Sequence, residues 1–142
     1  GHDTKSRGNS SVAIGKGAIV ENDNRNNRIV NNSIAIGADA MTVGVDNATA
    51  LGKGAIVKGA AGIALGEEAF AEKRNATAIG FTAKAQGEGA LAISKEATAT
   101  GTNAISIGGA SRAAGSDSWP SALARRLLKA MPLRSATQPT PT

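Results

Sequence analysis

The sequence contains no cysteine, no tyrosine and one histidine, and its other aromatic side chains are Phe70, Phe81 and Trp119. Without cysteine there is no disulfide scaffold and no thiolate metal site. His2, at the very start, leaves histidine-based catalysis almost without material. Aromatics at 2% withhold the large side chains that usually fill a globular interior. Four prolines, with glycine not recurring at every third position, exclude collagen. No apolar run is long enough for a membrane-spanning helix, and no basic-plus-apolar leader opens the chain. These absences point away from an enzyme and supply no cofactor or metal site.

What is present is small. Hydrophobic residues make up 41% of 142, mostly alanine with isoleucine, valine and leucine, beside 18 glycines. Small side chains bury little area while chain entropy still opposes folding, so a conventional globule is disfavoured. The net charge of +5 is unevenly placed: residues 1–118 hold twelve basic against eleven acidic residues, whereas Arg125, Arg126, Lys129 and Arg134 face no acid in 119–142. The main body therefore carries no nucleic-acid footprint.

Self-similarity organises the chain. A residue closing an A-[IL]-G triplet recurs as Gly15, Gly37, Gly52, Gly66, Gly80, Ser94 and Gly108, at spacings of 22, 15, 14, 14, 14 and 14. The 22 corresponds to an eight-residue insertion within Glu21 to Asn32, and the 15 to one extra residue near Gly44 to Asn47. One column before this anchor runs Ile14, Ile36, Leu51, Leu65, Ile79, Ile93 and Ile107. Two before it run Ala13, Ala35, Ala50, Ala64, Ala78, Ala92 and Ser106, and three after it stands another alanine column. Seven after it, glycine recurs at Gly44, Gly59, Gly87, Gly101 and Gly115, where a left-handed or tight backbone is expected.

Residues such as Ile34-Ala35-Ile36 alternate at strand period, with both faces apolar. A short turn and a second strand follow, with Ala55 and Val57 on one face and Ile56 and Lys58 on the other. Two strands and two turns per fourteen residues predict one coil of a parallel β-solenoid, and seven coils would span about 34 Å. A helix is the competitor for alanine-rich sequence, but two glycines per unit cost about 1 kcal/mol each in a helix interior. The alanine column of the first strand finds no partner within one chain on this reading, so it calls for another surface. Ala35, Ala50, Ala64, Ala78 and Ala92, with Ile36, Leu51, Leu65, Ile79 and Ile93, are the candidates for core and self-association.

The run Asn32-Ser33-Ile34-Ala35-Ile36-Gly37-Ala38-Asp39-Ala40, and its near copy Ser10-Ser11-Val12-Ala13-Ile14-Gly15, resembles the head repeat of trimeric autotransporter adhesins of the YadA type. The resemblance covers about Gly8 to Ser118. It implies an all-β, left-handed parallel β-roll forming a homotrimer on the surface of a Gram-negative bacterium. It also implies attachment to host cells or matrix proteins of the collagen, fibronectin or laminin class, and bacterial self-aggregation. The family's leading Asn is retained as Asn32, Asn47, Asn75 and Asn103 and lost as Ser10, Ala61 and Gly89; Ser94 replaces one anchor glycine. Neck, stalk and anchor have no counterpart here, so the sequence reads as a head segment.

The expected organisation is an extension over 1–7, with Gly1-His2 resembling a tag remnant, a head roll over 8–118, and a tail over 119–142. Trp119-Pro120 breaks the repeat, and Ser121 to Met131 has helical spacing before a proline-rich end. That tail reads either as foreign to the roll or as its cap. Ligand-binding candidates are Asn32 and Ser33 at the strand start, Arg25 and Arg28 in the protruding insertion, and Phe70 and Phe81. The bland readings are that the Asn-Ser pairs satisfy turn backbone groups or stack as ladders, and that Phe70 is buried between chains. An ice-binding face would need a regular Thr or Ser ladder, and a hexapeptide-repeat acyltransferase a six-residue period and a catalytic histidine. Neither is present. A trimeric structural fibre or phage spike segment without matrix binding remains the alternative.

Overall fold

A computed structural model describes residues 1–120 and 129–131, so the helical spacing read over 121–131 rests largely on residues outside that description. Among the described residues the chain runs through fifteen strands of two or three residues. One sheet holds β1 (Lys5–Ser6), β3 (Ile19–Glu21), β5 (Met41–Val43), β7 (Ile56–Val57), β9 (Phe70–Ala71), β11 (Lys84–Ala85), β13 (Thr98–Ala99) and β15 (Arg112–Ala113), in that order. The other holds β2 (Val12–Ile14), β4 (Ile34–Ile36), β6 (Thr49–Leu51), β8 (Ile63–Leu65), β10 (Thr77–Ile79), β12 (Leu91–Ile93) and β14 (Ile105–Ile107). Every pair is parallel, and the register advances one repeat per coil: Thr77 faces Leu91, and Lys84 faces Thr98. The insertion and the extra residue are absorbed without a slip, because Val12 still faces Ile34 and Ile34 faces Thr49. The repeat columns are therefore the ladders of an all-β parallel solenoid.

Residues 1–7, expected to lie outside the roll, form part of its first coil. Lys5 and Ser6 pair with Ile19 and Val20, and Asp3 takes the same left-handed conformation as Asp39 and Glu68 in later coils.

The two faces of the first strand are the reverse of the expectation. Ala35, Ala50, Ala64, Ala78 and Ala92 need no second chain, since each is fully buried between the two sheets. They meet Ala40, Ala55, Ala69, Ala83 and Ala97, together with Val20, Val57, Ala71, Ala85 and Ala99 from the opposite sheet. The physical reason is volume. A coil of two strands, each of two or three residues, encloses a bore that methyl groups fill, and an isoleucine pointing inward would overpack it. The longer side chains of the first strand therefore point out.

Each turn selects its residue by backbone conformation. The leading Asn column is left-handed throughout: Ser10, Asn32, Asn47, Ala61, Asn75, Asn103 and Asp117 have φ of 50–56°, and Gly89 has φ 65°. Asn and Asp tolerate this region best among residues with a side chain, which explains their recurrence. The anchor glycines need both φ and space; at Gly37 (φ 132°) an added Cβ would stand 2.5 Å from the carbonyl oxygen of Gly52 in the next coil. The glycines seven after the anchor differ from the expectation. Only Gly44 is left-handed, whereas Gly59, Gly87 and Gly101 are required because a Cβ would strike the backbone of the next coil at Lys73, Gly101 and Gly115.

Two residues break the pattern at a cost. Ser94 occupies the anchor column at φ 106°, a region that costs a residue with a Cβ on the order of 1–3 kcal/mol. Thr42 is fully buried between Val20 and Val57 in the ladder, and its hydroxyl has no hydrogen-bond partner. Ser94→Gly is expected to stabilise the roll by about 1 kcal/mol. Thr42→Val, which replaces an orphaned hydroxyl with a methyl of similar size, is expected to stabilise it by about 1 kcal/mol or more. Thermal and denaturant melts check both; an unchanged or lower midpoint for either contradicts the strain or the desolvation assigned to it.

Candidate functional site

The repeat is interrupted in two consecutive coils, and the structure brings the interruptions together. The eight-residue insertion leaves the roll after β3, turns back as a small hairpin, and rejoins at Val30. Asp23 and Arg28 close the hairpin, each backbone N–H donating to the other's carbonyl at 3.2 and 3.3 Å. Asp23 also shapes the tip, because its carboxylate accepts from the backbone N–H of Arg25 at 3.0 Å and from Nδ2 of Asn26 at 2.9 Å. Val30 is fully buried and anchors the return, its N–H donating to Oδ1 of Asn22 at 2.9 Å.

Asp46 lies in the coil that carries the extra residue. Its carboxylate accepts from the Arg28 guanidinium, and its Oδ1 accepts from the backbone N–H of Asn31 at 2.8 Å. The Arg28 hydrogen bond, and after it the Asn31 amide, hold the Asp46 carboxyl below its ordinary value of 3.8. One irregularity thus clamps the other. Sequence reasoning singled out Arg28 but missed Asp46, although the consecutive spacings of 22 and 15 placed both irregularities in neighbouring coils.

The other candidates are dispersed. Arg25 is exposed on the hairpin, and Arg28 is committed to Asp46. Asn32 is exposed, and its Nδ2 donates to Oδ1 of Asn47 at 3.3 Å, with a similar step from Asn103 to Asp117 at 3.1 Å, so an interrupted amide ladder runs along the turns. Ser33 is fully buried; its hydroxyl donates to the Val45 carbonyl at 2.8 Å and accepts from the Ala48 N–H at 3.2 Å. That hydroxyl ties two coils together and is not presented to a ligand. Phe70 is half-buried on the eight-stranded sheet with Lys58 Nζ 5.4 Å from its ring centroid, while Phe81 is exposed in a turn.

The outer side of the seven-stranded sheet is apolar along its whole length. Val12, Ile14, Ile34, Ile36, Leu51, Ile63, Leu65, Ile79, Leu91, Ile93, Ile105 and Ile107 make up most of two adjacent columns. Ile14 is 56% exposed, Leu51 45% and Ile107 47%. A continuous patch of this kind is uncommon on a monomer and marks an interaction surface.

The family model for the YadA head domain repeat matches in two copies over residues 1–24, 46–69, 71–93 and 99–118, more than half of the chain. No curated protein matches it. The unmatched stretch 25–45 holds most of the insertion, and the stretch 94–98 begins with Ser94.

The clamp has a pH signature. The folded carboxyl of Asp46 titrates below its unfolded value, so the stability it contributes is complete above pH 3.8 and is lost as pH falls through the lower folded value. Hydrogen-exchange protection of the Asn31 amide is expected to fall on acidification below about pH 4, while amides deep in the ladders hold. In Asp46→Asn the same amide should be less protected at neutral pH, with no further acid step of this origin. Equal protection of Asn31 in both proteins at neutral pH would remove the clamp's role.

Proposed function

The chain belongs to the YadA head family, the heads of trimeric autotransporter adhesins, and on that premise we propose that three copies assemble through the Ile/Leu face of the seven-stranded sheet to attach a bacterium to host matrix or cells. The observation that carries the reading is that face. Its two apolar columns run over seven coils, from Ile14 to Ile107, and among the described residues no element of the same chain covers them. Burying such a surface gains on the order of 25 cal/mol per Å² of apolar area, a contribution that an alanine interior supplies only thinly. The alanine columns become the core of each chain, and Ile36, Leu51, Leu65, Ile79 and Ile93 become the contacts between chains.

In this arrangement the eight-stranded sheet, the insertion and the turns face outward. Phe70 then belongs to the accessible surface and not to the space between chains. Adhesion follows from repetition: three chains per head and many heads per cell convert modest affinities for collagen, fibronectin or laminin into avidity, and head-to-head contact gives autoaggregation. The site of action is the exposed surface of a Gram-negative cell, with the roll, from its first coil over residues 1–7 to Ser118, as the adhesive part.

Light scattering with circular dichroism on the same sample tests the assembly. Three chains per particle with a strand-rich spectrum are expected. Ile79→Lys should lower the mass to one chain and reduce the melting temperature, because a lysine in the centre of the face leaves a charge to be buried. A wild-type monomer at tens of micromolar, or an intact Ile79→Lys trimer, overturns the interface. Assembled trimer that retains none of the three immobilised matrix proteins overturns the matrix reading and leaves a structural fibre.

A further inference from the structure

We propose that the cleft between the insertion hairpin and the eight-stranded sheet binds a carboxylated sugar. The cleft has a volume of about 710 Å³ and is lined on one side by the hairpin and on the other by Val43, Val45 and Lys58. It lies on the sheet opposite the Ile/Leu face and is formed by one chain. The inference therefore goes beyond the matrix-protein reading and stands or falls without it.

The charges in the cleft decide the sign of the ligand. Both of its acids are hydrogen-bonded: Glu21 is paired with Arg7 at 2.6 Å, and Asp23, which keeps its charge and leaves the two cations an excess of one, is turned to Arg25 N–H and Asn26 Nδ2 at the hairpin tip. The side chains of its two cations are not. Among the described residues neither Arg25, on the hairpin, nor Lys58, just after β7, makes an ion pair, and Phe70 beside Lys58 orients the ammonium without neutralising it. The side chain of Asn24 is exposed and forms no hydrogen bond among the described residues. The uncommitted groups are therefore two cations and an amide over a valine floor, a set that fits one carboxylate together with hydroxyl groups and a small apolar ring face.

A peptide is the poorer occupant. A bound strand draws its affinity from an unpaired sheet edge, and here β5 is hydrogen-bonded on both sides, to β3 and to β7. The cleft is also held in shape, because the Arg28–Asp46 clamp and the buried Val30 fix the base of the hairpin.

Titration calorimetry and saturation-transfer NMR on the whole chain test the proposal, with 3′-sialyllactose, a disaccharide ending in glucuronate, neutral lactose and tetraglutamate as probes. At least one acidic sugar is expected to bind, and whichever does identifies the ring. Lactose and tetraglutamate should bind far more weakly. Arg25→Ala and Lys58→Ala should each weaken binding about tenfold. Arg112→Ala, which removes the same charge elsewhere on this sheet, should leave binding unchanged, and all three variants should melt as the unsubstituted chain does. Binding of neither acidic sugar, equal loss in all three variants, or equal affinity for lactose or for tetraglutamate each overturns the proposal, the last in favour of an acidic peptide.

Discussion

The narrowness of the bore governs the rest of the molecule. Fourteen residues per coil leave room inside for methyl groups and an occasional valine, so Ala35, Ala64 and Ala78 from one sheet meet Ala55, Ala83 and Ala97 from the other. Sheets brought this close also bring successive turns together, and the anchor glycines sit where a Cβ would touch the next coil's backbone. The same constraint expels every isoleucine and leucine of the first strand to the outer face. An interior too small to hold the large apolar residues thus creates the surface through which chains can associate.

Departures from the repeat show how much a solenoid tolerates and where. Thr42 and Ser94 are single-residue exceptions, the first carried inside a ladder that runs unbroken through it and the second in the turn just after β12. The eight-residue insertion is different in kind. It emerges at a turn, where looping out leaves the ladders on either side in register, and Val30 and Asp46 then fasten it to the next coil. A protrusion fixed at its base and built on a rigid roll is a suitable carrier for recognition.

The faces divide the labour. The seven-stranded sheet presents aliphatic side chains almost throughout and suits contact between copies; the outer column of the eight-stranded sheet is mixed, with Ile19, Met41, Ile56 and Phe70 beside Lys5, Lys84, Thr98 and Arg112, and suits contact with other molecules. In a YadA-type head, repetition along the axis and around it then supplies strength that no single contact needs to provide.

Much of this was legible in the residues. The fourteen-residue period, the two strands per coil, the parallel register and the position of both irregularities follow from column-by-column recurrence, because a ladder needs like residues at like places. The bounds were less legible: residues 1–7 carry no A-[IL]-G triplet, yet Gly1, Asp3 and Lys5 fill the anchor, turn and strand positions of a first coil. Of the candidate residues, the exposed Arg28 is held by Asp46 and Ser33 is buried between coils, placements that the repeat columns did not indicate. By itself the sequence determined that the first strand has two apolar faces; only the tertiary structure decided which one is inside. Alternation at period two separates Ala35 from Ile34 and Ile36 but assigns neither to the interior. The width of the closed coil makes that choice, and that width exists only once both sheets are in place.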